Sequence, residues 1–458
     1  MDEEKQINFE CRLGFALNDG QGLEIAGGDA LARVEKERLS LATATGQSLV
    51  FPFRELLEIG TGEYRLFLDL ESGEKLVISR LGFKYDDFYR ALNKAFHGVI
   101  LADMLAGEKI KKKDVRADFV YLDEKGEKIG AGKAEVRILE TALLVIPDLG
   151  NIGRFFLGNR QEVTRQDYSL TWRDDSGRQV ILSRLGNQWD EFNQVLDQAM
   201  NALSLKSQDL LKELLPDIDS AVIRRLSVLL MDGRAVAKKT IEEVAPGLWP
   251  AFEERILDSP LGEEYRVLTS LGEAERTAIG FKRGLAGDLG GDYLWFLVPV
   301  YGRDPGQGGN AIALEAGNIK PQTAAAPPRP EDEDEVIESE GRATYFFRLL
   351  SRPEYAKMKD WSGMDQRFDD FIRAFNRAMQ EIHFRREPIY LPEKRLAEPQ
   401  YARYRYALKR LPELSLLRGL FIGRVIHKSP DQWRADVENL LQFNTRSVTD
   451  GEKWSKGG

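Results

Sequence analysis

The strongest constraint on this chain is a phrase that it contains twice at a fixed distance. Val77-Ile78-Ser79-Arg80-Leu81-Gly82 leads into Tyr85-Asp86-Asp87-Phe88, and Ile181-Leu182-Ser183-Arg184-Leu185-Gly186 leads into Trp189-Asp190-Glu191-Phe192. Arg184 follows Arg80 by 104 positions, and the same offset holds without a gap from Ala30/Ala134 through Arg33/Arg137, Leu39/Leu143, Gly46/Gly150 and Phe51/Phe155 to Ala95/Ala199. A period this long exceeds a solenoid repeat, so each copy is expected to be a domain with its own core.

The residues of each copy carry two periods. Tyr64, Leu66, Leu68 and Leu70 alternate with Arg65, Phe67 and Asp69, which predicts a strand with one buried face. Glu71-Ser72-Gly73-Glu74 reads as a hairpin connection to Leu76-Val77-Ile78. Leu39–Ala42 and Leu49–Phe51 are further strands. After the shared phrase the period becomes helical: Tyr85, Phe88, Leu92, Ala95 and Phe96 share a face, as do Trp189, Phe192, Leu196, Ala199 and Met200. Asp86-Asp87 and Asp190-Glu191 fall in the first turn, where the helix dipole favours negative charge. Between the copies, Glu108–Arg116 reads as a solvated, basic linker.

Several short antiparallel strands closed by one C-terminal helix resemble the pleckstrin-homology-like (PH-like) superfold, over 7–100, 112–203 and more loosely 260–384. The resemblance implies an α+β chain of tandem PH-like antiparallel barrels or sandwiches, each capped by a helix. It further implies binding instead of catalysis, since members of the superfold bind lipid headgroups, peptides or other proteins. Lipid-binding members carry basic residues in the loop after the first strand. Here Leu17–Gly22 has none, and Asp123–Lys128 balances its lysines with acids.

The expected organisation is a first PH-like domain over 1–104 and a second over 112–204. A helical insert over 205–258 follows, with apolar residues at helical spacing in Leu210–Leu215, which ends at Pro216, and in Val222–Leu230, which Asp219-Ser220 can cap. A degenerate third domain over 259–384 takes Tyr265–Leu268, Thr277–Lys282, Tyr293–Val300, Ala311–Leu314 and Thr344–Leu350 as strands. Residues 320–341, rich in proline and then in acids, are expected to be disordered. A helical, basic and aromatic tail over 385–450 completes the chain, with one helix marked by Leu414, Leu417 and Phe421 and another opened by Ser429-Pro430.

Functional candidates are few. Arg80 and Arg184 keep the same place in both copies and are candidates for a ligand or partner contact. The alternative is a structural arginine paired with Asp86 or Asp190. Arg403, Arg405 and Tyr404 belong to a basic, tyrosine-bearing stretch that could stack on nucleic acid or pack as a helix on the body of the protein. The acidic 331–340 run could mask that basic stretch. A formal charge of −9 opposes a general affinity for nucleic acid or anionic membrane. The single cysteine, Cys11, reads as a buried inert thiol, and His97, His383 and His427 as surface or helix-end residues. No cofactor and no metal is expected.

The expectation is therefore a cytoplasmic, non-enzymatic protein-interaction or scaffolding chain whose partner is another protein or peptide. The alternatives are peripheral binding to anionic lipid headgroups through local basic patches, and binding of nucleic acid or a basic protein through the C-terminal region and the acidic loop.

Overall fold

A computed structural model describes residues 9–103, 108–285, 289–300, 309–319, 342–358 and 362–454. The acidic run, the loop at 301–308 and the side chain of Arg403 lie outside the described residues. The chain is α+β, and its strands form three antiparallel sheets in two compact units.

The first unit comprises 1–200 together with 393–410. Its first sheet holds β1 (Phe9–Asn18), β2 (Glu24–Val34), β3 (Arg38–Thr43), β4 (Ser48–Pro52), β5 (Leu56–Gly62), β6 (Arg65–Leu70) and β7 (Lys75–Ser79). Its second holds β8 (Ile110–Leu122), β9 (Lys128–Leu139), β10 (Ala142–Pro147), β11 (Gly153–Phe156), β12 (Arg160–Gln166), β13 (Ser169–Asp174) and β14 (Gln179–Ser183). The strand orders match: β4-β3-β2-β1-β7-β6-β5 and β11-β10-β9-β8-β14-β13-β12. The registers match too. Leu13 faces Ala30 as Ala117 faces Ala134, and Leu66 faces Ile78 as Leu170 faces Leu182. Even the irregularity near the start of β5 recurs in β12. Among the described residues the two ends of each sheet share no ladder, so neither sheet closes into the expected barrel.

The helices are α1 (Tyr85–Asp103), α2 (Trp189–Leu214), α3 (Ser220–Leu229), α4 (Lys238–Val244), α5 (Trp249–Leu257), α6 (Gly262–Leu271), α7 (Arg352–Lys357), α8 (Ser362–Glu381), α9 (Glu387–Tyr390), α10 (Glu393–Leu396), α11 (Ala402–Arg410), α12 (Pro412–Leu420) and α13 (Pro430–Arg446). The predicted stripe of α1 is its buried face: Phe88, Leu92, Ala95 and Phe96 join Leu66, Leu68, Leu76 and Ile78 in one core. That core is not private to the first copy. Leu139, Ala142, Leu144 and Phe156 of the second sheet belong to it.

Two expectations about the first unit are corrected. Tyr64 does not share the buried face of Leu66, Leu68 and Leu70. Glu63 and Tyr64 take left-handed backbone at the hairpin tip, which leaves Tyr64 84% exposed. Asp167 and Tyr168 do the same. The supposed linker at 108–116 is mostly strand, because β8 starts at Ile110.

The second unit comprises 201–392 and 411–458. Its sheet is β15 (Val236–Ala237), β16 (Ala278–Leu285), β17 (Leu289–Val300), β18 (Ala311–Asn318), β19 (Ala343–Arg348) and β20 (Phe421–Ile426), each beside its neighbour in sequence. This order differs from that of the first two sheets. Its last strand comes after α12, where Phe421 had been expected to continue a helix. Tyr265–Leu268 is helical, not a strand. Leu261, Tyr265 and Leu268 are buried at spacings of four and three, and Glu263 and Glu264 sit in the first turn of α6. The helices of the supposed insert share one core with this sheet and with α13: Leu226, Trp249, Phe252, Phe296, Phe346 and Trp433 all belong to it. Ser429 caps α13 by accepting from Gln432 N at 3.3 Å, with Pro430 in the first turn.

Candidate partner-binding surfaces

Arg80 and Arg184 both stand in left-handed backbone, at φ 58° and 57°. An L-residue in this region is strained by about 1–2 kcal/mol. The strain lets the chain turn from strand to helix while Leu81 and Leu185 enter the core at 5% and 4% exposure. Neither arginine has the partner expected from sequence. The Arg80 side chain crosses over Gly14, where a Cβ would collide with it, and reaches β2. Its Nη1 lies 3.1 Å from Asp29 Oδ1, and its Nη2 donates to the Gly28 carbonyl at 3.3 Å. In the second copy the position of Asp29 is taken by Lys133, which repels an arginine, and that of Gly14 by Asp118. Arg184 Nη1 accordingly lies 3.1 Å from Asp118 Oδ2.

Both ion pairs are largely solvent-exposed, so each contributes little stability. Arg184→Gly relieves the left-handed strain, loses the exposed pair and adds chain entropy to the unfolded state. Its stability is expected to stay within about 1 kcal/mol of the parent. Leu185→Ala beside it should cost roughly 2–4 kcal/mol. Urea titration of the two variants checks the contrast.

The basic, tyrosine-bearing stretch packs. Tyr404 is fully buried and stacks on Tyr401, with ring centroids 6.2 Å apart. Its ring is therefore not presented to a base. Arg405 Nη2 donates to the Ala397 carbonyl at 3.4 Å, and Arg395 Nη2 to the Tyr401 hydroxyl at 3.1 Å. Helix α11 lies against α1 and the 3-10 turn Phe53–Glu55. Between them is a small pocket lined by Phe53, Leu56, Phe96, Ile100, Arg405 and Lys409.

The end of α11 binds main chain. Lys409 Nζ donates to the Arg54 carbonyl at 3.1 Å and pairs with Glu71. Arg410 donates to the Leu57 carbonyl, reaches Asn151 Oδ1 at 3.4 Å and lies 5.1 Å over the Phe96 ring. Arg54 and Asp103 close the same groove through a double hydrogen bond of 2.8 and 3.1 Å. The groove between the start of β5 and α1 is thus filled by a helix from nearly 300 residues further along the chain.

His97 sits beside this contact and is buried, contrary to the surface position expected. Its Nε2–H donates to the Gly150 carbonyl at 2.7 Å, and Asn93 Nδ2 donates to the Asp148 carbonyl at 3.0 Å. Burial outweighs the Gly150 hydrogen bond, and with the nearby charge of Arg410 it lowers the imidazole to about 4. Cys11 is 3% exposed, and burial pushes its thiol up, as befits an inert core residue.

In the second unit, sequence reasoning missed a charged interior cluster. His427 Nδ1 lies 3.3 Å from Glu264 Oε1, and Nε2 lies 3.0 Å from Glu315 Oε2. Arg342 pairs with both carboxylates. Trp433 stacks on His427 at 5.1 Å and donates to Thr344 Oγ1 at 2.9 Å. Arg342 is the fixed positive charge that both carboxylates share, and such pairing is how buried carboxylates are held in a core.

No protein-family model matches the chain, and no curated protein matches it.

Proposed function

We propose that this chain is a non-enzymatic scaffold whose first unit is a tandem of PH-like domains and whose partners are other proteins, and that it works in the cytoplasm. The PH-like reading is supported by the seven-strand order and closing helix that both copies share. The interaction reading rests on one observation. The groove beside α1 is walled by Phe53, Leu56, Phe96 and Ile100 and holds α11 through Lys409 and Arg410, which donate to main-chain carbonyls; an apolar groove that seats a helix is one way a domain takes a helical peptide. Among the described residues no helix is long and apolar enough to cross a membrane.

The test uses the full chain and Lys409→Ala/Arg410→Ala. Loss of the two bonds should release α11, raising hydrogen exchange at 53–57 and 96–103. The variant should then retain host proteins that cross-link to this groove and that the parent retains more weakly. Salt-sensitive sedimentation with anionic vesicles, or a salt-steep shift of nucleic acid, with no protein cross-linked at the groove, would sink the reading.

A further inference from the structure

Strand β2 outruns its neighbour. Glu24–Asp29 are paired with β1 alone, and β3 joins only at Ala30. Strand β9 does the same, with Lys128–Lys133 on β8 alone and β10 joining at Ala134. Each copy therefore presents a six-residue strand edge, about 20 Å long, whose outer main chain is open to solvent over most of its length. The Gly28 carbonyl takes Arg80, and the Lys133 carbonyl takes the Asp148 amide at 2.8 Å. Both edges carry an exposed isoleucine at a register shift, Ile25 at 52% and Ile129 at 66%. Between the end charges lie only isoleucine, alanine and glycine: Ile25-Ala26-Gly27-Gly28 and Ile129-Gly130-Ala131-Gly132.

The two edges match in length and differ in sign. Glu24 and Asp29 of the first copy correspond to Lys128 and Lys133 of the second. Exposed edges of this kind invite a further strand. Three antiparallel pairings between two molecules are available. Two β2 edges would set Glu24 against Asp29 at both ends. Two β9 edges would set Lys128 against Lys133 at both ends. Like charges directly opposite one another destabilise a strand pair. Only a β2 edge on a β9 edge sets Glu24 against Lys133 and Asp29 against Lys128.

We propose that the β2 edge of one molecule pairs antiparallel with the β9 edge of a second copy of this chain. The contact uses a different surface on each molecule and leaves one edge free at each end, so association runs head to tail into short chains. One strand pair is well below the roughly 1,600 Å² of a standard interface. Association is accordingly weak, in the range of about 1 µM to 1 mM, and screened by salt. This surface is separate from the groove that holds α11, and either proposal can fail alone.

The test is sedimentation velocity of the full chain across that concentration range, in low salt and in about 0.5 M salt. The average mass should rise with concentration in low salt and fall back to the monomer in high salt. Glu24→Lys/Asp29→Lys makes both edges basic, and Lys128→Glu/Lys133→Glu makes both acidic. Each variant alone should be monomeric, and an equimolar mixture should associate again, which also shows that both have folded. A parent chain that stays monomeric in low salt, a charge-reversed variant that still associates by itself, or a mixture that does not recover would each overturn the proposal.

Discussion

Glu108→Ala is expected to destabilise the first unit by roughly 3–5 kcal/mol, the loss seen when one member of a buried ion pair is removed. The side chains of Glu108 and Arg154 are 7% and 2% exposed and form a salt bridge. Glu108 Oε2 also accepts from the amide of Thr141 at 2.8 Å and its hydroxyl at 2.6 Å. Alanine therefore removes the carboxylate from a guanidinium held 4.6 Å over the Phe156 ring, and takes an acceptor from Thr141. Desolvation makes the remaining charge costly, whereas an apolar replacement of the whole pair is often neutral or better. Glu108→Leu/Arg154→Met should recover most of the loss. Urea unfolding followed by hydrogen exchange at β8–β14 assigns the effect to this unit. Equal stability of Glu108→Ala and the parent would refute it.

Acid should weaken the same unit through His97. In the unfolded chain its imidazole titrates near 6.5; in the folded chain burial holds it at about 4. Above pH 6.5 both states are neutral, and the contribution is fully present. Between 6.5 and 4 the unfolded state binds a proton that the folded state refuses, so stability falls with falling pH. The total is about 3 kcal/mol, at close to 1.4 kcal/mol per pH unit. Carboxylates add their own acid dependence, so the measurement is a difference. His97→Gln keeps an N–H for the Gly150 carbonyl and removes the titration. Its stability should fall by about 1.4 kcal/mol less per pH unit over this window, the equivalent of one proton. Parallel pH profiles for parent and variant would contradict the assignment.

Local patterns in the sequence carried most of the first unit. The alternation Leu66-Leu68-Leu70 and the stripe Phe88-Leu92-Ala95-Phe96 depend on neighbours only a few residues away, and both hold in the structure. Tyr64 has the right parity for the buried face but falls in a hairpin tip whose left-handed backbone turns it outward. Parity says nothing about where a strand ends. Tyr265–Leu268 is too short an apolar run to separate a buried strand from a helix, and the helix is betrayed only when Leu261 adds a spacing of four to the spacing of three between Tyr265 and Leu268.

Contacts of long range left no comparable trace. The partner of Glu108 is 46 residues away, and Lys409 meets Arg54 across 355. No periodicity links such residues. Arg80 was legible as a joint, but its partner was not, because Asp29 is reached only when Gly14 lets the side chain cross β1 to β2. Among the candidates in the C-terminal stretch, the burial of Tyr404 was legible as the helical stripe it shares with Tyr401. What the stripe packs against was not.

The place of 393–410 in the first unit also sets an order of events. A ribosome delivers residues 1–200 and then 192 more before Glu393 emerges. At roughly 5–20 residues per second that interval lasts about 10–40 s. Throughout it, both seven-stranded sheets can be complete while the groove beside α1 is empty, with Phe96 and Ile100 facing water. The nascent chain thus passes through a window in which the groove later filled by α11 is open, and translation itself closes that window.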